Sequence, residues 1–186
     1  MVRVHALYLS AFFFDEVLRH IGEHIRALHP ALEAQIGRLD QASIGWRRPG
    51  AIEDVVLDCQ FGINSPLDRP SRVRSVHCDH HHKLFNALLY MRTDDDDSTG
   101  GDLVLYQLRG ARIWGHKGDP YGIPDDHVTQ VAQIPYRANT LVLFVNSPIS
   151  LHGVSERQPT KHVHRYLNFL AHTRVPLFEA PAYLIP

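Results

Sequence analysis

Val76-His77-Cys78-Asp79-His80-His81-His82-Lys83 is the segment of this chain with the most groups able to hold a metal ion. In an extended strand, residues two apart project to the same face. The His77 imidazole and the Asp79 carboxylate can therefore reach one ion without backbone distortion. Cys78 between them projects the other way and is expected to be a small packing residue. An imidazole and a carboxylate at this spacing supply two corners of a 2-His-1-carboxylate facial triad, which leaves the remaining coordination positions open for chemistry. The third corner has to be a histidine that is distant in sequence. His116, His127, His152, His162, His164 and His172 are the candidates. His152 stands out because Asn146-Ser147-Pro148-Ile149-Ser150-Leu151-His152-Gly153-Val154 carries it into a strand directly after an apolar one. Successive strand residues face opposite ways, so His80, His81 and His82 cannot all reach the same ion; they are expected in a loop at the mouth of the pocket.

Further stretches accompany the metal-binding pattern in a fixed order: Leu88-Leu89-Tyr90-Met91, Gly100-Gly101-Asp102-Leu103, His152-Gly153-Val154 and Arg165-Tyr166-Leu167-Asn168-Phe169. Over about residues 55–172 the ordered set resembles the Fe(II)/2-oxoglutarate-dependent dioxygenases, in particular the prolyl-4-hydroxylase-like branch. The resemblance implies a double-stranded β-helix (jelly roll) in which Fe(II) is held by His77, Asp79 and His152, with 2-oxoglutarate as co-substrate and O2 as oxidant. It implies that Arg165 and Tyr90 anchor the far carboxylate of 2-oxoglutarate. A guanidinium suits that task because it can pair bidentately with a carboxylate. Arg165 shares a strand face with Leu167 and Phe169, which is a costly setting for a charge unless an anion arrives. Arg157 lies in the polar turn Ser155-Glu156-Arg157-Gln158-Pro159 and is expected to be solvated. Many relatives carry a hydroxyl residue two positions after the arginine. Here that position is Leu167, which leaves Tyr90 as the hydroxyl partner. The implied reaction is decarboxylation of 2-oxoglutarate to succinate and CO2, with hydroxylation of an unidentified small-molecule or peptidyl substrate. Asp79 argues against the halogenating variant, which needs the carboxylate position vacated for halide.

The elements that must position these residues can be traced by periodicity. Phe14, Val17, Leu18, Ile21, Ile25 and Leu28 recur at three- and four-residue steps and make one apolar helical stripe, with His20 and His24 off it. Pro30 interrupts the helix, and Ala31 to Ile36 form a shorter one. From Ile52 the period changes to two. Strands are expected over Val55–Phe61, Lys83–Arg92, Leu103–Tyr106, Thr140–Val145, Ile149–Val154 and His164–His172, with Arg72 to Asp79 alternating. Asp94 to Gly101 is expected to close a hairpin between two of these strands, its acidic run being a tip rather than a calcium loop. Residues 109–138, rich in Gly and Pro, are expected to be mostly loop. Loops 64–74 and 109–135 are expected to set specificity, and His116, Asp119, Asp125, Asp126 and His127 are expected to form a polar loop. Arg72 and Arg74 are expected to face away from His77. Many short strands with Gly, Pro and Asp turns indicate a mainly β jelly roll with supporting N-terminal helices.

Composition bounds the rest. The chain has 186 residues, enough for one domain with a sizeable core. The expected division is a helical preface over 1–45 and a jelly-roll core over about 52–175. Nineteen Lys and Arg against 20 Asp and Glu give a net charge of −1, without the basic excess of a nucleic-acid or anionic-membrane binder. No stretch is apolar for long enough to suggest a membrane span. Two cysteines make no disulfide framework, and a cytoplasmic setting is expected. The 14 histidines direct attention to the 77–82 segment, although only His77 and His152 are assigned to metal. Two rival readings use the same three ligands. One is a zinc hydrolase, which would need neither Arg165 nor the keto acid but would need a general base beside the ligands. The other is a non-catalytic metal-binding jelly-roll module. Oligomeric state is not encoded in any of these features.

Overall fold

The apolar stripe of the first helix lies against a β-sheet. In the computed structural model, which describes residues 7–110 and 122–179, this helix (α1) runs Ala11–Leu28 and a shorter one (α2) runs Leu32–Ile36. Ser10 caps α1, its hydroxyl accepting from the Phe13 N–H at 3.3 Å. Phe14, Val17 and Ile25 are at most 5% exposed and pack with Val55, Leu57, Phe85, Val145 and Ala171. Each such side chain contributes roughly 1.5–3 kcal/mol on burial. His20 and His24 are exposed, as the helical period requires, and Leu28, last in the stripe, is also left largely outside the core.

Eight strands follow: β1 Ile44–Trp46, β2 Val55–Asn64, β3 Lys83–Tyr90, β4 Leu103–Leu108, β5 Val128–Ile134, β6 Thr140–Val145, β7 Leu151–Val154 and β8 His164–Thr173. They form a major sheet in the order β1-β2-β8-β3-β6 and a minor sheet in the order β5-β4-β7. All pairings are antiparallel except β1 with β2. Two sheets with this interleaved strand order make the jelly roll that the turn-rich sequence suggested. The segment before β3 lies against β7: the Val154 N–H donates to Arg74 O, and His77 and His152 exchange backbone hydrogen bonds at 2.9 and 3.0 Å.

Both faces of the major sheet are covered. Odd-numbered residues of β8 (Leu167, Phe169, Ala171) face the helices, and Phe169 stacks with Tyr8 at 4.1 Å. Even-numbered residues (His164, Tyr166, Asn168) face inward, towards the minor sheet.

Four expectations need correction. Asp94 to Gly101 is no hairpin turn, because β3 belongs to the major sheet and β4 to the minor one; the connection crosses between sheets. Strand β5 lies within the stretch expected to be loop. Only Val128 in it is buried, so it carries no apolar alternation to mark it. Arg157 is 1% exposed rather than solvated, its guanidinium donating to Ser65 O and His162 O. Arg74 shares a cavity with His77 rather than facing away from it, because residues 72–79 do not form a regular strand. Asp125 to His127 form a short 3-10 helix, whereas His116 and Asp119 lie outside the described residues. Among the described residues, no helix is long and apolar enough to cross a membrane.

Asn146, fully buried after β6, ties the layers together. Its backbone carbonyl accepts from His29 Nε2 at 2.8 Å, and its side-chain amide donates to His80 O and Lys83 O. The end of α1, the loop after Asp79 and the turn leading into β7 therefore meet at one residue.

Candidate metal centre and its cavity

His77, Asp79 and His152 converge between the two sheets, with one ligand atom from each lying within 4.8 Å of the others. The hydrogen-bonded backbone pair between His77 and His152 sets this geometry. Directly opposed residues of an antiparallel pair project to one side, and the two imidazole centroids are 4.3 Å apart. Asp79, two residues on from His77, completes the set, with its Oδ2 3.6 Å from His152 Nε2. Of the candidate third ligands among the described residues, His127, His152, His162, His164 and His172, His152 is the one in this cluster.

Each ligand has a supporting partner. His77 Nδ1 lies 2.9 Å from Ser75 O and His152 Nδ1 lies 3.0 Å from Ser150 O, so both rings anchor Nδ1 on a carbonyl and present Nε2 inward. The Asp79 carboxylate accepts from Lys83 Nζ at 2.7 Å and from the Asn86 amide. Burial, then the neighbouring His152 and Arg74, push the His77 pKa down to about 3, and burial also lowers that of His152. Burial alone would raise the Asp79 pKa, but facing His152 and Lys83 outweighs it and holds the carboxyl below its ordinary value. Neutral imidazoles and an ionised carboxylate are the protonation states a divalent metal requires. The donor set suits an Fe(II) site with open positions.

The cluster opens into a cavity of about 160 Å³ lined on its inner walls by Leu88, Tyr90, Leu103, Phe144, His164 and Tyr166, among others. That is small beside the few hundred Å³ of a drug-sized site and suits a short keto acid. Among the residues that line it, Asn86 Oδ1, Asn168 Oδ1 and His164 Nδ1 are buried without a hydrogen-bond partner. Orphaned polar atoms in a cavity wall are what a polar ligand would satisfy.

The structure brings Tyr90 into this cavity, 4% exposed, with its hydroxyl pKa raised by burial and then by Asp102. It does not bring Arg165 there. Arg165 pairs in register with Ile63, which is 64% exposed on the outer face of the major sheet, whereas its neighbours His164 and Tyr166 line the cavity. Arg165, Leu167 and Phe169 do share one face, as strand alternation requires, but that face is the one beneath the helices. His80, His81 and His82 stack on one another outside the metal cavity. Lys83 and Asn86 were missed as supports of Asp79, and His164, considered only as a third metal ligand, and Asn168 were missed as cavity lining. The alternation of β8, counted from its polar side, was the available signal for the last two.

No curated protein matches the chain. Among solved structures it is similar to prolyl 4-hydroxylases from Phytophthora capsici, with 15% identity and a TM-score of 0.46, over 92% of this chain and 42% of that one. It is also similar to a Pseudomonas putida prolyl-4-hydroxylase, with 19% identity and a TM-score of 0.37, over 64% of this chain and 53% of that one. The match thus spans about half the length of these neighbours. The pattern of the 2OG-Fe(II) oxygenase superfamily matches residues 70–169, a stretch that contains all three ligands. Membership implies Fe(II), 2-oxoglutarate and O2. With a jelly roll, a buried His-Asp-His cluster and this match over more than half its length, the chain belongs to the 2OG-Fe(II) oxygenase superfamily.

Proposed function

We propose that the protein is a 2-oxoglutarate-dependent hydroxylase of a small-molecule or peptidyl substrate. The observation that carries this reading is the convergence of His77, Asp79 and His152 in the jelly-roll cavity. When bound, Fe(II) with 2-oxoglutarate and O2 supplies the oxidising power for C–H hydroxylation, with succinate and CO2 released. The chain's own residues prepare that chemistry. Ser75 and Ser150 carbonyls fix the imidazole tautomers, and Lys83 and Asn86 keep Asp79 ionised and oriented. Phe144 meets the His152 ring edge-on at 4.8 Å and shields it from water. Tyr90 presents a phenol to the same cavity.

A zinc hydrolase would need a general base. Asp79, already a ligand, is the one carboxylate in the described lining of the cavity. A cytoplasmic setting is in keeping with the free thiols of Cys59 and Cys78. The test is succinate formation. Protein loaded with Fe(II) and supplied with 2-oxoglutarate and O2 forms succinate even without its prime substrate, and the Asp79→Ala variant does not. No turnover with any substrate library, together with tight zinc binding, would overturn the reading.

A further inference from the structure

The helical cover of the major sheet stops part of the way along β2 and β8. Strand register groups the outward-facing residues into rows. Leu57, Ala171, Phe85 and Val145 form one row, packed beneath Phe14, Val17 and Ile25 of α1. Cys59, Phe169, Ala87 and Leu143 form the next, beneath Tyr8 and Phe13. The third row is Phe61, Leu167, Leu89 and Leu141, and the fourth begins with Ile63 and Arg165. Phe61, Ile63 and Leu141 are each more than half exposed and join no apolar cluster among the described residues. These rows form a shelf beside the helix. Where the two meet lies a groove of about 380 Å³, walled by Phe13, Leu89, Leu141 and Phe169, with Glu16 among its lining.

The outward side of α1 carries the matching chemistry. Phe12 precedes the buried Phe14 by two residues, which the helical period places on the side away from the sheet, and it is 62% exposed. Asp15 and Glu16 follow it at three and four residues, within one turn on the same side. Glu16 is held by Arg19 at 2.8 Å in an exposed pair of small worth. Asp15 has no ion-pair partner among the described residues, and neither does Arg165 on the shelf. One half of this face is therefore apolar with an unpaired cation, and the other half is apolar with acids. A contiguous exposed apolar patch of this kind marks an interaction surface.

We infer that this face joins two copies of the chain. A two-fold axis lying in the face turns a second copy over so that its α1 rests on the shelf, while its own shelf receives the first α1. Phe12 of each copy then meets Phe61, Ile63 and the groove of the other, and Asp15 or Glu16 of each pairs with Arg165 of the other. Each contact occurs twice, as an isologous interface requires. Charge decides for a second copy over the chain's own ends, because residues 1–6 and 180–186 contain no acidic side chain to meet Arg165. The contact lies on the outer side of β8, whose inner side lines the metal cavity. It leaves His77, Asp79 and His152 untouched and does not depend on the oxygenase reading.

Sedimentation equilibrium of the whole chain between about 1 and 300 μM tests this. The expected result is a reversible equilibrium between monomer and dimer. Phe12→Ser weakens the dimer at least about tenfold, because a central aromatic anchor is lost. Arg165→Glu weakens it by a similar factor, and so does Asp15→Lys together with Glu16→Lys, because each change sets like charges against each other. Combining the three charge reversals restores the dimer to within about threefold of the unaltered protein, since opposite charges face again. None of these side chains is buried, so circular dichroism shows the same fold in every variant. A monomer at every concentration overturns the proposal, whether the shelf is then covered by the chain's own ends, a small apolar ligand or a different protein. A dimer indifferent to Phe12→Ser and to charge reversal, or one that the combined reversal does not restore, overturns it too by placing the contact on another face.

Discussion

Lys83→Met isolates an interaction whose strength differs between the metal-free and metal-loaded protein. Lys83 Nζ sits 2.7 Å from Asp79 Oδ1, and the two side chains are 14% and 3% exposed. Removing one member of a buried ion pair costs about 3–5 kcal/mol, chiefly because the other charge is left uncompensated. The low end applies here, because Asn86 still donates to Asp79 and methionine preserves most of the stem packing. Without metal the variant therefore loses about 3 kcal/mol of stability. With a divalent ion on Asp79 the carboxylate is compensated again, and the loss shrinks to about 1 kcal/mol. Linkage requires the difference of about 2 kcal/mol to appear as metal affinity, so Lys83→Met binds a divalent ion about thirtyfold more tightly. Urea unfolding with a chelator and with saturating Mn(II), together with a competition titration, measures both sides of this cycle. Equal destabilisation in the two forms, or weaker metal binding, would refute the reasoning and show that Lys83 acts by orienting Asp79 rather than by competing for its charge.

Other outcomes follow from the same geometry. Gly62→Ala places a β-carbon into the ring of Tyr166, its register partner on β8; the overlap lowers stability by about 1–3 kcal/mol in urea unfolding. Arg165→Ala leaves 2-oxoglutarate affinity within about twofold of the unaltered protein, because its side chain lies on the outer face; calorimetry showing more than a tenfold loss would place the guanidinium in the cavity. Metal-free protein loses stability in mild acid. His77, His164 and His172 have pKa values pushed by burial to about 3, 4 and 4 from an ordinary 6.5. The unfolded chain takes up protons below about pH 6.5 that the folded chain refuses until about pH 4, so stability is intact above that window. It falls as the pH drops through the window, by up to about 1.4 kcal/mol per pH unit for each histidine. Urea midpoints at pH 7.5, 6 and 5 check the slope, and a flat profile would contradict it.

The metal ligands were legible because their chemistry is scarce and their period is simple. His77 and Asp79 are two apart, and His152 follows an apolar strand in the order a jelly roll needs. The co-substrate end was harder to read because β8 is covered on both faces. Leu167 and Phe169 are apolar because Tyr8 and Phe13 pack on them from outside, not because they line the cavity. When helices cover one face of a sheet and a polar cavity lies against the other, the usual equation of apolar with inside assigns the wrong face. Arg157 misled in the opposite sense: a turn rich in polar residues looks solvated, yet the carbonyls of Ser65 and His162 close around its guanidinium. The supposed hairpin at Asp94 to Gly101 failed because neighbours in the chain need not share a sheet. Apart from the Arg157–His162 contact, five residues apart, these contacts join segments distant in the chain, so no local pattern announces them.

The backbone pair between His77 and His152 has a consequence for how the protein acquires its metal. Those two hydrogen bonds, the carbonyls behind each imidazole and the Asn146 junction are all contacts between the protein's own groups. A chain of 186 residues with its own apolar core does not need an ion as the nucleus of its structure, unlike small metal-dependent domains. A site assembled in advance gains little discrimination from the folding process. Its occupant is decided by the supply of each ion and by how fast one replaces another, and intrinsic affinity favours copper and zinc over iron. The rigidity that readies this centre for catalysis also leaves it open to the wrong metal, so its iron content reports on the metal economy of the compartment in which it matures.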